Sequence, residues 1–431
     1  MRGGLFWLAF VAAVALGAAA AGGAERSLAQ PLPSSFCSKV VSSGSRAPDF
    51  IIASDLGLQN GHEPAVMVAA IKFVLARHGF RAGRYSVGYQ SCDDSTPQNP
   101  QGDLAKCASN AKAYAANSSL VGVIGAWFSR CSGVELPIIA RSPSGPLALI
   151  SPNNTYPGLT HPSGGSAPGE PGSYYPAGTH DYARLEVPDD FQGIAAALLA
   201  KQLHLRNVFV LDDAEGYGLD VAGGFNAAAR NLGLAIAGAA SWDGAKSDFR
   251  SVVSRVARKH PAGVLLAGIG CPTCGSLIKQ LRAALPHAVI IVPDAFSPVP
   301  ALLKLAGSAA EGLYLLQPGL APSKYGAIGQ KLQRKFGTTR TGSGGAPVAA
   351  QATEILLAAI ARSNGTRPSV TEHVLADRVV GGTLGTFRFD RNGDMSPGPV
   401  TVYRVKHGHQ IINRVVHVSS NLLRSRPTAG P

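Results

Sequence analysis

Beyond its first 29 residues the sequence has no run of ~18 uncharged apolar residues, so no membrane-spanning helix is expected in the mature chain. It has no Gly-x-Ser-x-Gly elbow, no His-Glu-x-x-His and no phosphate-binding loop, which removes the motif-bearing enzyme classes. Gly268-Ile-Gly270 opens like a dinucleotide fingerprint but meets Thr273 where glycine is required. Asp390 to Asp394 resembles the start of a calcium loop, yet its sixth position is Met395 and its twelfth Thr401. A tight turn between strands explains that stretch better. No second pair of His or Cys has the spacing of a zinc site, and no metal or cofactor is expected. Acidic residues are few, 26 against 39 Lys and Arg, for a net charge of +13. The basic residues do not cluster with aromatics. Arg250, Arg255, Arg258 and Lys259 spread along a presumed helix, so a nucleic-acid partner is not expected. The eleven histidines are scattered, and only His62 falls near a strand end.

What is present begins with an export signal. Arg2 gives a positive start, Leu5 to Ala21 is almost wholly apolar, and small residues follow up to Ala29. The first cysteine, Cys37, follows Ser34-Ser35-Phe36, which is no lipid-attachment pattern. Residues 1–29 therefore read as a cleaved signal, and the protein is expected outside the cytoplasm, in a periplasm or beyond the cell. Six cysteines in an exported chain imply disulfides. Cys92, after a strand, and Cys107, early in a helix, form the best pair. Cys271-Pro-Thr-Cys274 reads as a local bridge at a helix start.

From residue 49 apolar runs alternate with helical periodicity. Phe50–Ala53, Tyr85–Tyr89, Val121–Gly125 and Leu147–Ser151 are expected strands. Ala65–His78 and a helix capped by Asp103 lie between them. A second series follows, with strands at Val208–Leu211, Val264–Ala267 and Val289–Val292 and helices between. Residues 161–180, rich in Gly, Pro and Ser, read as a surface loop insertion. The pattern predicts an α/β fold with two doubly wound parallel-sheet lobes. Ligands meet such sheets at the carboxyl ends of the strands. Ser129 with Asn153, Asn154 and Thr155 would line one rim, and Asp213, Tyr217, Cys271, Thr273 and Asp294 the other. Trp127 and Phe128 could stack on a flat ligand.

Several stretches in order carry a family resemblance: Phe50 to Gly57, Val123-Ile-Gly125 with Ser129, Ser151 to Thr155, Pro157 to Thr160, Asp189 to Gly193, Asp212-Asp213 with Tyr217, and Phe389 to Asp394. The chain resembles the type I periplasmic binding proteins of branched-chain amino acid (Leu/Ile/Val) ABC transporters over roughly 49–417. The resemblance implies two lobes joined by a three-stranded hinge, of which 49–180 and 295–398 form the first and 181–294 and 399–417 the second. Residues 30–48 would be a flexible leader and 418–431 a disordered tail. It implies a monomeric, non-enzymatic binder that closes on a solute and delivers it to ABC permease subunits, or else a ligand-sensing protein for a membrane receptor. Ser129, Asn153 and Thr155 would hold the ligand's carboxylate and amino group, and Tyr217 would join from the second lobe. The family's acidic partner for an ammonium aligns with Thr273, so Asp213 or Asp294 would have to substitute. The solute class therefore stays open among amino acids, amides and carboxylic acids.

Overall fold

The computed structural model describes residues 29–33, 35–337 and 345–424. The signal segment, except Ala29, and the end of the tail lie outside the described residues. Nine elements build the first sheet region: β1 (Phe50–Leu56), α1 (Glu63–Arg77), β2 (Arg81–Ala82), β3 (Tyr85–Asp93), α2 (Leu104–Ala116), β4 (Leu120–Ile124), α3 (Ser129–Ile139), β5 (Ala148–Ser151) and β6 (Tyr182–Arg184). The six strands run in the order β2-β3-β1-β4-β5-β6, all parallel except the β2–β3 pair. Strands buried on both faces are continuous apolar runs, as parallel sheets require. Ile51, Ile52, Val121 and Val123 are fully covered. Asp103 caps α2 as its sequence suggested, its carboxylate accepting from the N–H groups of Ala105 and Lys106.

The chain then crosses at 185–188 into a second lobe. There follow α4 (Asp189–Gln202), β7 (Asn207–Asp212), α5 (Gly216–Leu232), β8 (Ala235–Ser241), α6 (Arg250–Ala257), β9 (Gly263–Ala267), α7 (Cys274–Ala284), β10 (Val289–Val292), α8 (Val299–Ala306) and β11 (Tyr314–Pro318). It returns through α9 (Ala327–Phe336), α10 (Gly345–Arg362), α11 (Arg367–Leu375), β12 (Arg378–Gly382), β13 (Gly385–Phe389) and β14 (Met395–Ser396). It crosses a third time into β15 (Gly398–Lys406) and β16 (His409–Val418). The second sheet has the order β16-β15-β11-β10-β9-β7-β8. The apolar α10 packs on α1 and completes the first core with Ile355, Leu356 and Ile360. The two-lobed α/β expectation holds.

Four details differ from the sequence reading. First, 295–398 does not belong whole to the first lobe. Tyr314 and Leu315 pair with β10 in parallel and with β15 antiparallel, and α8 packs in the second core, so the return crossing follows Pro318. Second, the leader is pinned rather than flexible. Ser38 and Val41 donate to the carbonyls of Ser91 and Tyr89 along the edge of β3, and Leu32 is buried. Third, that pairing places Cys37 beside Cys92, and the bridges are Cys37–Cys92, Cys107–Cys131 and Cys271–Cys274. Cys92 with Cys107 is thus corrected: β3 offers Cys92 to the leader, while α2 turns Cys107 toward α3. Fourth, the tail is ordered through residue 424, where Asn231 donates to the carbonyls of Leu422 and Arg424.

The 161–180 segment is also more than a surface loop. Tyr156 and Tyr174 both donate to the Glu170 carboxylate, and buried Tyr175 donates to the Leu159 carbonyl, which fastens it to the first lobe. Its other end reaches the second lobe: the Gly165 N–H donates to Asp220 on α5 at 2.7 Å, and His161 Nε2 lies 2.8 Å from Asp190 on α4. His161 Nδ1 is 3.2 Å from Asp394, which also accepts from Arg184 Nε at 2.6 Å. Arg184 and Asp394 are wholly buried. Burial alone would raise the Asp394 carboxyl, but the Arg184 charge and His161 outweigh it and hold it down to about 2. Burial likewise opposes the His161 imidazolium, but Asp190 and Asp394 hold it up to about 10.

Non-reducing peptide mapping should recover Cys37 joined to Cys92 and Cys107 joined to Cys131. A peptide joining Cys92 to Cys107 would contradict this pairing. Closing the 55-residue span between Cys37 and Cys92 contributes ~4 kcal/mol in the chain-entropy picture, so Cys37→Ser should lower the unfolding midpoint. His161 is raised in the folded state. Its stabilisation relative to His161→Gln should be full below about pH 6.5 and disappear as pH rises through about 10, measured as the difference in unfolding midpoint.

Candidate functional site

The carboxyl ends of β4 and β5 face the end of β10 across the crossings, and between them lies a cleft of about 600 Å³. Asn60 comes from the turn before α1 and Glu63 from its first residue, Trp127 and Phe128 from the turn after β4, and Asn153 and Thr155 from the turn after β5. Asp294, Ser297 and Pro298 come from the second lobe, while Glu186, Gln317 and Pro318 sit where the chain crosses.

The turn carrying the aromatic wall is held from behind. A Cβ at Gly125 would lie 2.5 Å from the Asp55 carbonyl oxygen, so only glycine lets β4 leave the sheet there. The Asn154 amide donates to the carbonyls of Ala126 and Trp127 at 3.1 and 2.8 Å, and its oxygen accepts from Ser132 and Tyr182. The ring centroids of Trp127 and Phe128 are 5.3 Å apart at 23°, a stacked pair.

The structure therefore brings together Trp127, Asn153, Thr155 and Asp294 of the residues expected from sequence. It does not place the others on the cleft wall. Asn154 is fully buried with its amide spent on the Trp127 turn. Ser129 starts α3, and its Oγ accepts from the Tyr156 N–H at 3.4 Å. The Tyr217 hydroxyl donates to Asp294 at 2.6 Å, and Gln192 donates to the same carboxylate oxygen at 2.8 Å, so Tyr217 orients a cleft residue. Thr273 is remote: its hydroxyl donates to the Gly244 carbonyl, inside the Cys271–Cys274 loop. Asp213 turns to a separate hollow with Trp242, Ile269 and Cys271, accepting from the Ile269 N–H. The same loop meets the segment after β10 through the Gly270 N–H, which donates to the Ala295 carbonyl.

Glu186 is the residue that sequence reading missed. Leu185 and Val187 on either side are buried core residues, and a carboxylate set between them was the one available signal. Burial pushes the Glu186 carboxyl up to about 8, with the Asp294 and Glu63 charges adding to the rise. Asp294 is raised too, by burial, although Tyr217 and Gln192 stabilise its charge. Burial and the nearby Asp294 push Asp189, at the start of α4, well above the usual carboxylate range. Among the described residues lining the cleft none is Lys, Arg or His.

The family profile described as "periplasmic binding protein" matches residues 94–410. No curated protein matches the sequence. Solved structures do. A leucine binding protein, LivK, of Thermotoga maritima is 22% identical, with a TM-score of 0.60, over 85% of this chain and 99% of that one. A putative branched-chain amino acid ABC transporter protein of Rhodospirillum rubrum is 20% identical, with a TM-score of 0.68, over 84% and 99%. An ABC-transporter solute binding protein of R. palustris, in complex with 4-hydroxybenzoate, is 15% identical, with a TM-score of 0.60, over 85% and 96%. At these identities the likeness is one of fold.

The raised Glu186 carboxyl has a consequence for stability. The folded state holds its proton more tightly than the unfolded chain, so this contribution is full below pH 4.5 and lost as pH rises through about 8. Glu186→Gln should remove that slope. Unfolding midpoints of wild type should therefore fall relative to the variant across this window. Parallel curves would show that Glu186 is not perturbed.

Proposed function

This chain belongs to the periplasmic binding protein family, and from that premise we propose that it is the exported solute-binding component of an ABC importer. The family binds solutes outside the cytoplasm and is not enzymatic. No described helix is long and apolar enough to cross a membrane. The observation that carries the proposal is the cleft itself: strand ends of both lobes meet around about 600 Å³, bridged by three chain crossings. That volume lies in the range of small-molecule sites. The three disulfides fit an oxidising compartment, in keeping with the signal expected at residues 1–29.

The solute enters between the open lobes, rests on the Trp127–Phe128 wall and meets the polar groups of Asn153 and Thr155. Rotation about the crossings brings Asp294, Ser297 and the second lobe onto it. Closure excludes water, which strengthens each polar contact. The closed form is the one the permease reads. Tyr217, Gln192, Asn154 and Ser129 act behind the wall, by fixing the groups that touch the solute.

A thermal-shift screen of small solutes tests this. A solute at a hundred times its Kd stabilises the protein by ~2.7 kcal/mol, a visible rise in midpoint. Scattering should show a smaller radius of gyration in the same sample. Trp127→Ala should weaken that solute by about 2 kcal/mol or more. Stabilisation without compaction, and indifferent to Trp127, would place binding elsewhere.

A further inference from the structure

We propose that the cleft selects a cationic solute, whose ammonium or guanidinium group is held between Glu186 and Asp294; this rests on the solute-binding reading above. The chain as a whole carries +13, yet the cleft wall holds Glu186 and Asp294 and no Lys, Arg or His among the described residues. A surplus of base elsewhere does not produce such a wall; it has to be built against the average.

Glu186 gives the independent sign of a missing partner. It is 5% exposed and lines the cleft. One carboxylate oxygen accepts from the Val187 N–H at 3.3 Å, and the other has no hydrogen-bond donor among the described residues. Leaving a buried carboxyl without a full set of partners is costly. Asp394, by contrast, is buried with both Arg184 and His161 as partners. Asp55, Asp94, Glu135, Asp181, Asp190 and Asp220 also have carboxylate oxygens without partners, but those oxygens are buried and none of these residues lines the cleft. Glu186 is a buried carboxyl on the cleft wall.

Asp294 faces it from the other lobe. Its Oδ1 accepts from the Tyr217 hydroxyl and the Gln192 amide, two neutral donors that fix its position and leave its charge uncancelled. The faces of Trp127 and Phe128 complete the set, because an aromatic face attracts a cation. In the empty cleft burial keeps a proton on Glu186, and a bound cation would displace it. A solute anion such as a benzoate would meet the Asp294 carboxylate here.

The test is calorimetric titration of the mature protein with five probes: L-arginine, 1,4-diaminobutane, tetramethylammonium, L-leucine and 4-hydroxybenzoate. A cationic probe should bind, and Glu186→Gln should weaken it roughly 10- to 100-fold, the loss of one charge-assisted contact. Asp294→Asn, which keeps the acceptor for Tyr217 and Gln192, should weaken it similarly and serves as the second variant if the first does not fold. If leucine or 4-hydroxybenzoate binds and Glu186→Gln holds it as tightly, cation selection is overturned while solute binding stands. A cation held equally by both variants overturns the roles of Glu186 and Asp294. If none of the five binds while the thermal-shift screen finds another solute, cation selection is overturned and solute binding stands.

Discussion

The ion pair between Arg184 and Asp394 governs where the chain can run. Both groups are completely buried, and a lone charge at either position would be untenable. Arg184 ends the last strand of the first sheet, and Asp394 closes the turn between β13 and β14. Joining them sets the first and third crossings side by side, immediately before Glu186 and Gly398. His161 adds Asp190 of the second lobe to the same node. The cleft is thus anchored at its base by charges that solvent does not screen.

Sequence periodicity carried most of the architecture, because burial of one helix face or of a whole parallel strand leaves a direct trace in residue order. Ala235–Ser241 left no trace: β8 is an edge strand mostly of alanine, with one branched residue, Ile236, and no buried side chain, so neither branching nor alternation marks it. The mistaken lobe boundary at residue 295 has a different origin. Tyr314 to Pro318 is plainly a strand, but nothing local states which sheet receives it. The Cys92–Cys107 pairing failed for the same reason, since the partner of Cys92 is chosen by where the leader docks, whereas the local Cys271–Cys274 bridge was legible from its spacing.

Within the site, Trp127, Asn153, Thr155 and Asp294 were readable because strand ends in such folds converge on one rim. Asn154 was readable as a polar residue at that rim but not as the brace for its neighbour's turn. Glu186 lies two residues past the end of β6, a three-residue strand too short to read from the sequence. Its place on the cleft wall depends on how the assembled lobes sit. Net charge was the least informative quantity: a sum over 431 residues has the opposite sign to the cleft wall.

The 161–180 segment behaves as a check-strap. It is fastened to the first lobe through Glu170 and Tyr175, while Gly165 and His161 hold α5 and α4 of the second. Any swing that parts the lobes must either snap those two grips or drag the strap from its seat. The hinge is therefore not free to gape at the cost of bending three strands alone. Its travel ends where the strap becomes taut, and a lengthened strap would widen the arc.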